Sequence, residues 1–177
     1  MFGLFKRKMA PEGPFAFTDQ IRIERPATDV YQLLDFADPM NAKIAQGHML
    51  RPGEAPGQWR LVMIGLEDHE HLIELIHAEP PLRYVVDCKA VPTIGRLEHA
   101  REAYSLEPAG ANACTLRLDI TAHLVPGLTA RQFANEEKLL SAACHNAVAR
   151  LKIHAEKGPD AARDAEMDSS NDFRINV

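Results

Sequence analysis

Three histidines, His69, His71 and His77, crowd one short stretch of this sequence. If that stretch is a strand, alternation puts His69 and His71 on one face and His77 on the same face further along. Imidazoles are zinc ligands, but no H-E-x-x-H helix and no cysteine pair completes a set. Residues along a strand also separate by about 3.3 Å each. The expectation is no metal and no cofactor. Acid–base chemistry is the second candidate. On the run from Leu97 to Glu107, Tyr104 and Leu106 share a parity with Glu98 and Glu102. An inward Glu102 in an apolar hollow is a general base for an acidic proton between two carbonyls. A bulge that switches faces midway makes Glu102 an ordinary exposed or rim glutamate instead. Glu136 and Glu137 belong at a cavity rim or in solvent. Cys88, Cys114 and Cys144 are odd in number, far apart and without a C-x-x-C pair. They fit buried thiols acting as small hydrophobes in a reducing compartment, the cytoplasm. The chain has no phosphate-binding loop, no G-x-G-x-x-G and no G-x-S-x-G.

Composition bounds what must hold these groups. The 177 residues suit a single domain, and 46% of them are apolar, enough for a core. Twenty Lys and Arg against 25 Asp and Glu give a net charge of −5, which argues against a nucleic-acid-coating surface. The longest stretches free of charged residues have eleven residues, 120–130 and 139–149. A helix crossing a bilayer needs about 20, so no integral membrane association is expected. The start, MFGLFKRK, lacks the order of a signal peptide. Phe2, Leu4 and Phe5 beside Lys6, Arg7 and Lys8 either touch an anionic surface or, as a short patch suggests, form a solvated end.

Hydrophobic periodicity supplies the elements. Residues 1–14 read as a flexible leader. Residues 15–25 alternate as a half-buried strand, which Pro26 stops. Helices are predicted over 27–36, with Asp29 in the first turn, and over 40–46, ending at Gly47. Six strands follow, over 48–51, 58–66, 70–78, 83–90, 97–107 and 114–123. Pro80-Pro81, Pro92 with Gly95, and Pro108-Ala109-Gly110 mark turns between them. In the last strand Cys114, Leu116, Leu118, Ile120 and Ala122 oppose Thr115, Arg117, Asp119, Thr121 and His123. Thr129 with Gln132 reads as a capping box. It opens a helix to about residue 156 with a stripe of Phe133, Leu140, Cys144, Ala147 and Leu151, while Arg131, Lys138, Asn146 and Arg150 take the other side. Residues 157–177 carry few apolar residues and read as a disordered tail.

Short connections between the later strands imply antiparallel neighbours. One polar face per strand implies a sheet covered on one side. The only element long enough to cover it is the last helix, which is too narrow to fill a curved sheet, so a hollow is expected between them. The segments IRIERPATDVYQLLDF, ELIHAEPPLRYVVD, AYSLEPAGANACTLRLDI and ARLKIHAE, in that order over about residues 15–156, resemble the START and birch-allergen-like (SRPBCC) superfamily and its polyketide cyclase/dehydrase-like branch. The resemblance implies an α+β helix-grip fold. In it a curved antiparallel sheet of about seven strands surrounds a long C-terminal helix, with two short helices after the first strand. It also implies a deep cavity for lipids, polyketides or aromatic molecules. Many members of the superfamily are not enzymes, and no invariant catalytic signature carries over.

Inward parity nominates Trp59, Met63, Ile73, Tyr84, Val86, Tyr104, Leu118, Phe133 and Leu140 as ligand-binding residues, about half of them ordinary core. Glu102 and Tyr104 are the catalytic candidates, with a histidine as the alternative acid/base. Three functions are compatible with this pattern: binding of a small hydrophobic ligand, cyclase or dehydratase chemistry, and a protein-interaction module without a working cavity. The sequence leaves oligomeric state open.

Overall fold

The structure, a computed structural model, describes residues 8–168, 174, 175 and 177. Alternating residues form the strands β1 (Phe15–Ile23), β2 (Met49–Pro52), β3 (Gln58–Val62), β4 (Glu70–Glu79), β5 (Arg83–Val91), β6 (Leu97–Pro108) and β7 (Cys114–Leu124). They make one antiparallel sheet in the order β1-β7-β6-β5-β4-β3-β2. The helices α1 (Ala27–Leu34) and α2 (Ala42–Ala45) lie between β1 and β2, and α3 (Ala130–Lys157) follows β7. The capping box is formed: Gln132 N–H donates to Thr129 Oγ1, and Thr129 N–H donates to Gln132 Oε1 at 2.9 Å.

On the outer face, ion pairs replace apolar contacts. Arg101 grips Asp87 through two bonds of 2.7 Å, Arg117 reaches Asp119 at 2.8 Å, and Arg60 pairs with Glu54 and Glu70. On the inner face, Cys114, Leu116, Leu118 and Ala122 are fully buried with Cys144 and Val148 of α3. No helix among the described residues is long and apolar enough to cross a membrane.

Two segments differ from the sequence expectation. The tail is not structureless after Lys157: α4 (Pro159–Asp168) folds back on α3. Alanine is the strongest helix former, and Ala161, Ala162 and Ala165 give α4 a flat apolar face without large side chains. Gly158, at φ 94°, makes the reversal. Ile175 is buried against Ala149, Ile153 and Ala162. Its N–H donates to Asn146 Oδ1 at 2.9 Å, and its carbonyl lies 3.0 Å from His145 Nε2. The described end of the leader is also ordered. Ala10 N–H donates to Leu128 O and Ala130 N–H to Lys8 O, each at 2.8 Å, because the backbone before α3 offers unpaired groups that the leader satisfies. Phe2, Leu4 and Phe5 lie outside the described residues, as do 169–173 and 176 of the tail.

Candidate functional site

The position of α3 decides where a cavity can lie. The helix is fastened along the β1 edge of the sheet. Phe133 meets Phe15 with ring centroids 4.5 Å apart, and His145 Nδ1 lies 2.8 Å from Asp19 Oδ2. Lys152 Nζ donates to Arg22 O at 2.9 Å, and Glu24 N–H donates to Glu156 Oε1 at 2.8 Å. In the middle, Cys144 Sγ sits over Leu118 O. A helix of about 10 Å diameter placed on β1 and β7 leaves the inner faces of β3–β6 uncovered, since neighbouring strands are about 4.8 Å apart.

Over those strands is a cavity of about 510 Å³. Its roof comes from Leu33 and Leu34 of α1, Phe36, and Asn41, Ala42, Lys43 and Gln46 around α2. Its floor includes Leu61, Ile73, Cys88, Ala100, Glu102, Tyr104 and Ile120. One flank of α3 supplies Glu136, Leu139, Leu140, Ala143, Ala147, Arg150 and Leu151. The volume is in the range of small-molecule sites.

Of the nine nominated lining residues, Met63, Ile73, Tyr104 and Leu140 border this cavity. The other five do not. Leu118 lies beneath α3 with no exposure, and Phe133 packs on Phe15 at the sheet edge. Val86 is core. Tyr84 is also buried; its Oη accepts from Phe36 N–H at 3.1 Å and donates to Asp35 Oδ1 at 3.4 Å, fastening the segment after α1. Trp59 meets Phe36 in a tilted ring contact, centroids 5.7 Å apart, and lines a second hollow of about 330 Å³ with Arg60, Asp87 and Lys89. Parity identifies the inner face but not which part of it the helix occupies. The sequence reading also missed the roof, and it put Arg150 on the solvent side of α3 although Arg150 borders the cavity. The 3.6-residue period places Arg150 next to Leu151 and one turn from Ala147, a signal that a stripe of apolar residues alone hides.

The ambiguity on β6 resolves at its start. A bulge between Leu97 and His99 takes up Glu98. Beyond it Glu102, Tyr104 and Leu106 pair with Ile120, Leu118 and Leu116, all on the inner face. Glu102 is half-buried, and its Oε2 accepts a 2.7 Å hydrogen bond from Tyr104 Oη. Burial first, and the neighbouring Glu102 second, hold the Tyr104 phenol well above its ordinary range. Burial and then Glu102 do the same to the Cys88 thiol. Both groups therefore stay neutral proton carriers beside a carboxylate. At the mouth, Glu136 is buried and accepts from Arg96 at 2.8 Å, tying the β5–β6 turn to α3.

The three histidines separate. His69 is half-buried, its Nδ1 2.9 Å from Pro92 O. His71 borders the cavity with a buried Nδ1 that has no partner among the described residues, and burial lowers its pKa. His77 is exposed because a bulge between Leu75 and His77 pairs it with Val85, off the parity of His71. Cys88, Cys114 and Cys144 are free thiols.

No protein-family model and no curated protein sequence matches the chain. Solved structures do. DynU16, a protein of the dynemicin biosynthetic locus, superposes with a TM-score of 0.59 at 22% identity over 82% of this chain, which spans about half (49%) of that one. Ara h 8.0201 matches over 81% of this chain and 98% of its own, with TM-score 0.60 and 12% identity. Norcoclaurine synthase from Thalictrum flavum, in a complex with dopamine and hydroxybenzaldehyde, matches over 90% of each chain, with TM-score 0.55 and 11% identity. At these identities the likeness establishes the fold: this chain has the helix-grip fold of the birch-allergen-like proteins.

Proposed function

We propose that this chain binds a small, mostly apolar molecule in the cavity between α3 and the sheet. The observation that carries the reading is a 510 Å³ hollow with a largely apolar floor in which Glu102 and Tyr104 form a hydrogen-bonded pair. Apolar walls supply affinity and a few fixed polar groups supply orientation. Leu140, Met63 and Ile73 are the contacts retained from the sequence reading, joined by Phe36, Leu61 and Ala147. The binding unit is residues 15–156, with α4 an addition to the back of α3. The free thiols suit a reducing cytoplasm. Native mass spectrometry of freshly purified protein, followed by titration with the neutral probe Nile red, tests this. A retained small molecule or saturable one-to-one probe binding is expected. No retained mass and no saturable binding overturns the proposal.

A second reading is supported by the same pair. Glu102, held in place by Tyr104 at 2.7 Å, has the position of a general base facing a bound substrate, with the Tyr104 hydroxyl as the orienting donor. This is the arrangement that a cyclase or dehydratase acting on a flexible polyketide chain requires. Recovery of the retained molecule chemically unchanged after hours with the protein favours binding alone. A new product whose formation Glu102→Gln abolishes favours the enzyme.

A further inference from the structure

We infer that the polar end of the bound molecule is a hydrogen-bond donor, a hydroxyl, phenol or amine, received by the Glu102 carboxylate. This inference rests on the cavity being a ligand site and adds the chemistry of the ligand. An ionised carboxylate only accepts hydrogen bonds, and Glu102 uses one oxygen for Tyr104. Among the described residues Tyr104 is its hydrogen-bond partner, and the side chain lies half-buried on the cavity floor. Acceptor capacity is left on Oε1 of a side chain that borders the cavity.

Four cations stand around the cavity, and the charge of Arg150 reaches Tyr104. Arg96 is taken by Glu136 at 2.8 Å, and Lys43 and Arg150 are each engaged in an interaction of their own. Lys89 is at the border shared with the second hollow. The remaining charged groups at the border, Glu98 and Glu136, are acidic. An anionic ligand end over the floor meets the Glu102 charge in a poorly hydrated setting, where like charges repel strongly. A neutral ether in the same place leaves Oε1 desolvated and unpaired.

Four probes of one shape separate these cases: 2-naphthol, 2-naphthylmethylamine, 2-methoxynaphthalene and 2-naphthoate. Their affinities are read by calorimetry at pH 7. The naphthol and the amine are expected to bind about tenfold to a hundredfold tighter than the ether, as for hydrogen bonds to a charged acceptor, and the naphthoate weaker than the ether. The double variant Glu102→Leu/Tyr104→Phe removes both polar groups, so neither is left unpaired. It should bind the ether at least as well as the native chain does and lose the preference for donors, with its fold checked by circular dichroism. If all four probes bind native protein within threefold of one another, or the naphthoate binds tightest, the donor inference fails while the cavity reading stands. If none binds, the cavity reading itself fails and this inference with it.

Discussion

Enlarging Ala147 should stabilise the free protein and abolish binding. Ala147 lies on the flank of α3 that borders the cavity, one turn beyond Ala143 and two beyond Leu140. Helical side chains lean toward the helix N-terminus, so a phenylalanine here extends over the cavity centre and away from Leu151. It takes on the order of 100 Å² of additional apolar surface out of water. At about 25 cal/mol per Å² the gain is roughly 2.5 kcal/mol. Lower helix propensity and rotamer entropy remove about 1 kcal/mol. For a chain of this size the remainder raises Tm by about 3–6 °C. The same ring takes space from a ligand, so Nile red affinity should fall at least tenfold. Calorimetric melting of Ala147→Phe with and without probe measures both effects. A fall in Tm of more than about 4 °C with probe binding intact would mean that Ala147 faces packed core, and would refute the geometry.

Three further outcomes follow from contacts outside the cavity floor. Tyr84→Phe deletes the acceptor of Phe36 N–H and should cost about 1–2 kcal/mol in urea unfolding; an unchanged midpoint refutes its fastening role. Burial raises the pKa of Cys88 and Cys114 and pushes Cys144 up to about 11. Iodoacetamide at pH 8 should therefore label the native protein slowly and all three thiols quickly in urea; rapid native labelling of Cys88 contradicts a thiol held neutral by its surroundings. The Arg101 and Arg117 guanidinium groups hold Asp87 and Asp119 below the ordinary carboxylate range. Their stabilisation is present above the unfolded value near 3.9 and is lost as pH falls through the folded values. These pairs are a third to a half exposed, so each contributes under about 1 kcal/mol. Asp87→Asn should be slightly less stable at pH 7 and equal to native at pH 2; a difference that persists at pH 2 assigns the effect to packing instead.

The elements were legible because their signals are local. Cys114–Leu124 alternates without interruption and is β7, and Thr129 with Gln132 marks the start of α3. What sequence could not place is the docking of α3, since Leu118 and Ile120 have the same parity and chemistry. Leu118 is sealed under Cys144, whereas Ile120 borders the cavity. The two differ only in where they fall relative to the helix, a long-range fact. The α1–α2 roof was missed for a related reason: the sequence marks two short helices here, and only the fold shows that Leu33, Leu34 and Phe36 cover empty space. α4 was missed because its burial uses alanines, which hydrophobic counting weighs lightly.

The cavity exists because contacts along β1, polar ones together with Phe133 on Phe15, set the lateral position of α3. A helix guided by Leu140, Cys144, Ala147 and Leu151 alone would settle over the middle of the inner face, where apolar area is greatest. Asp19–His145, Lys152–Arg22 O and Glu156–Glu24 N–H hold it instead on β1, the edge strand. Such directional bonds cost little to form at a partly hydrated edge and are expensive to leave unmade. They fix one position against a broad hydrophobic minimum. Stability then comes from the tightly packed β1–β7–α3 side, around Leu116, Leu118, Cys144 and Val148. The β3–β6 side is relieved of that duty and can keep small residues, Ala100, Ala143 and Ala147, next to open space. Because the anchors and the lining belong to different strands, lining residues can change chemistry without moving the helix, as a ligand site that differs between proteins of one fold requires.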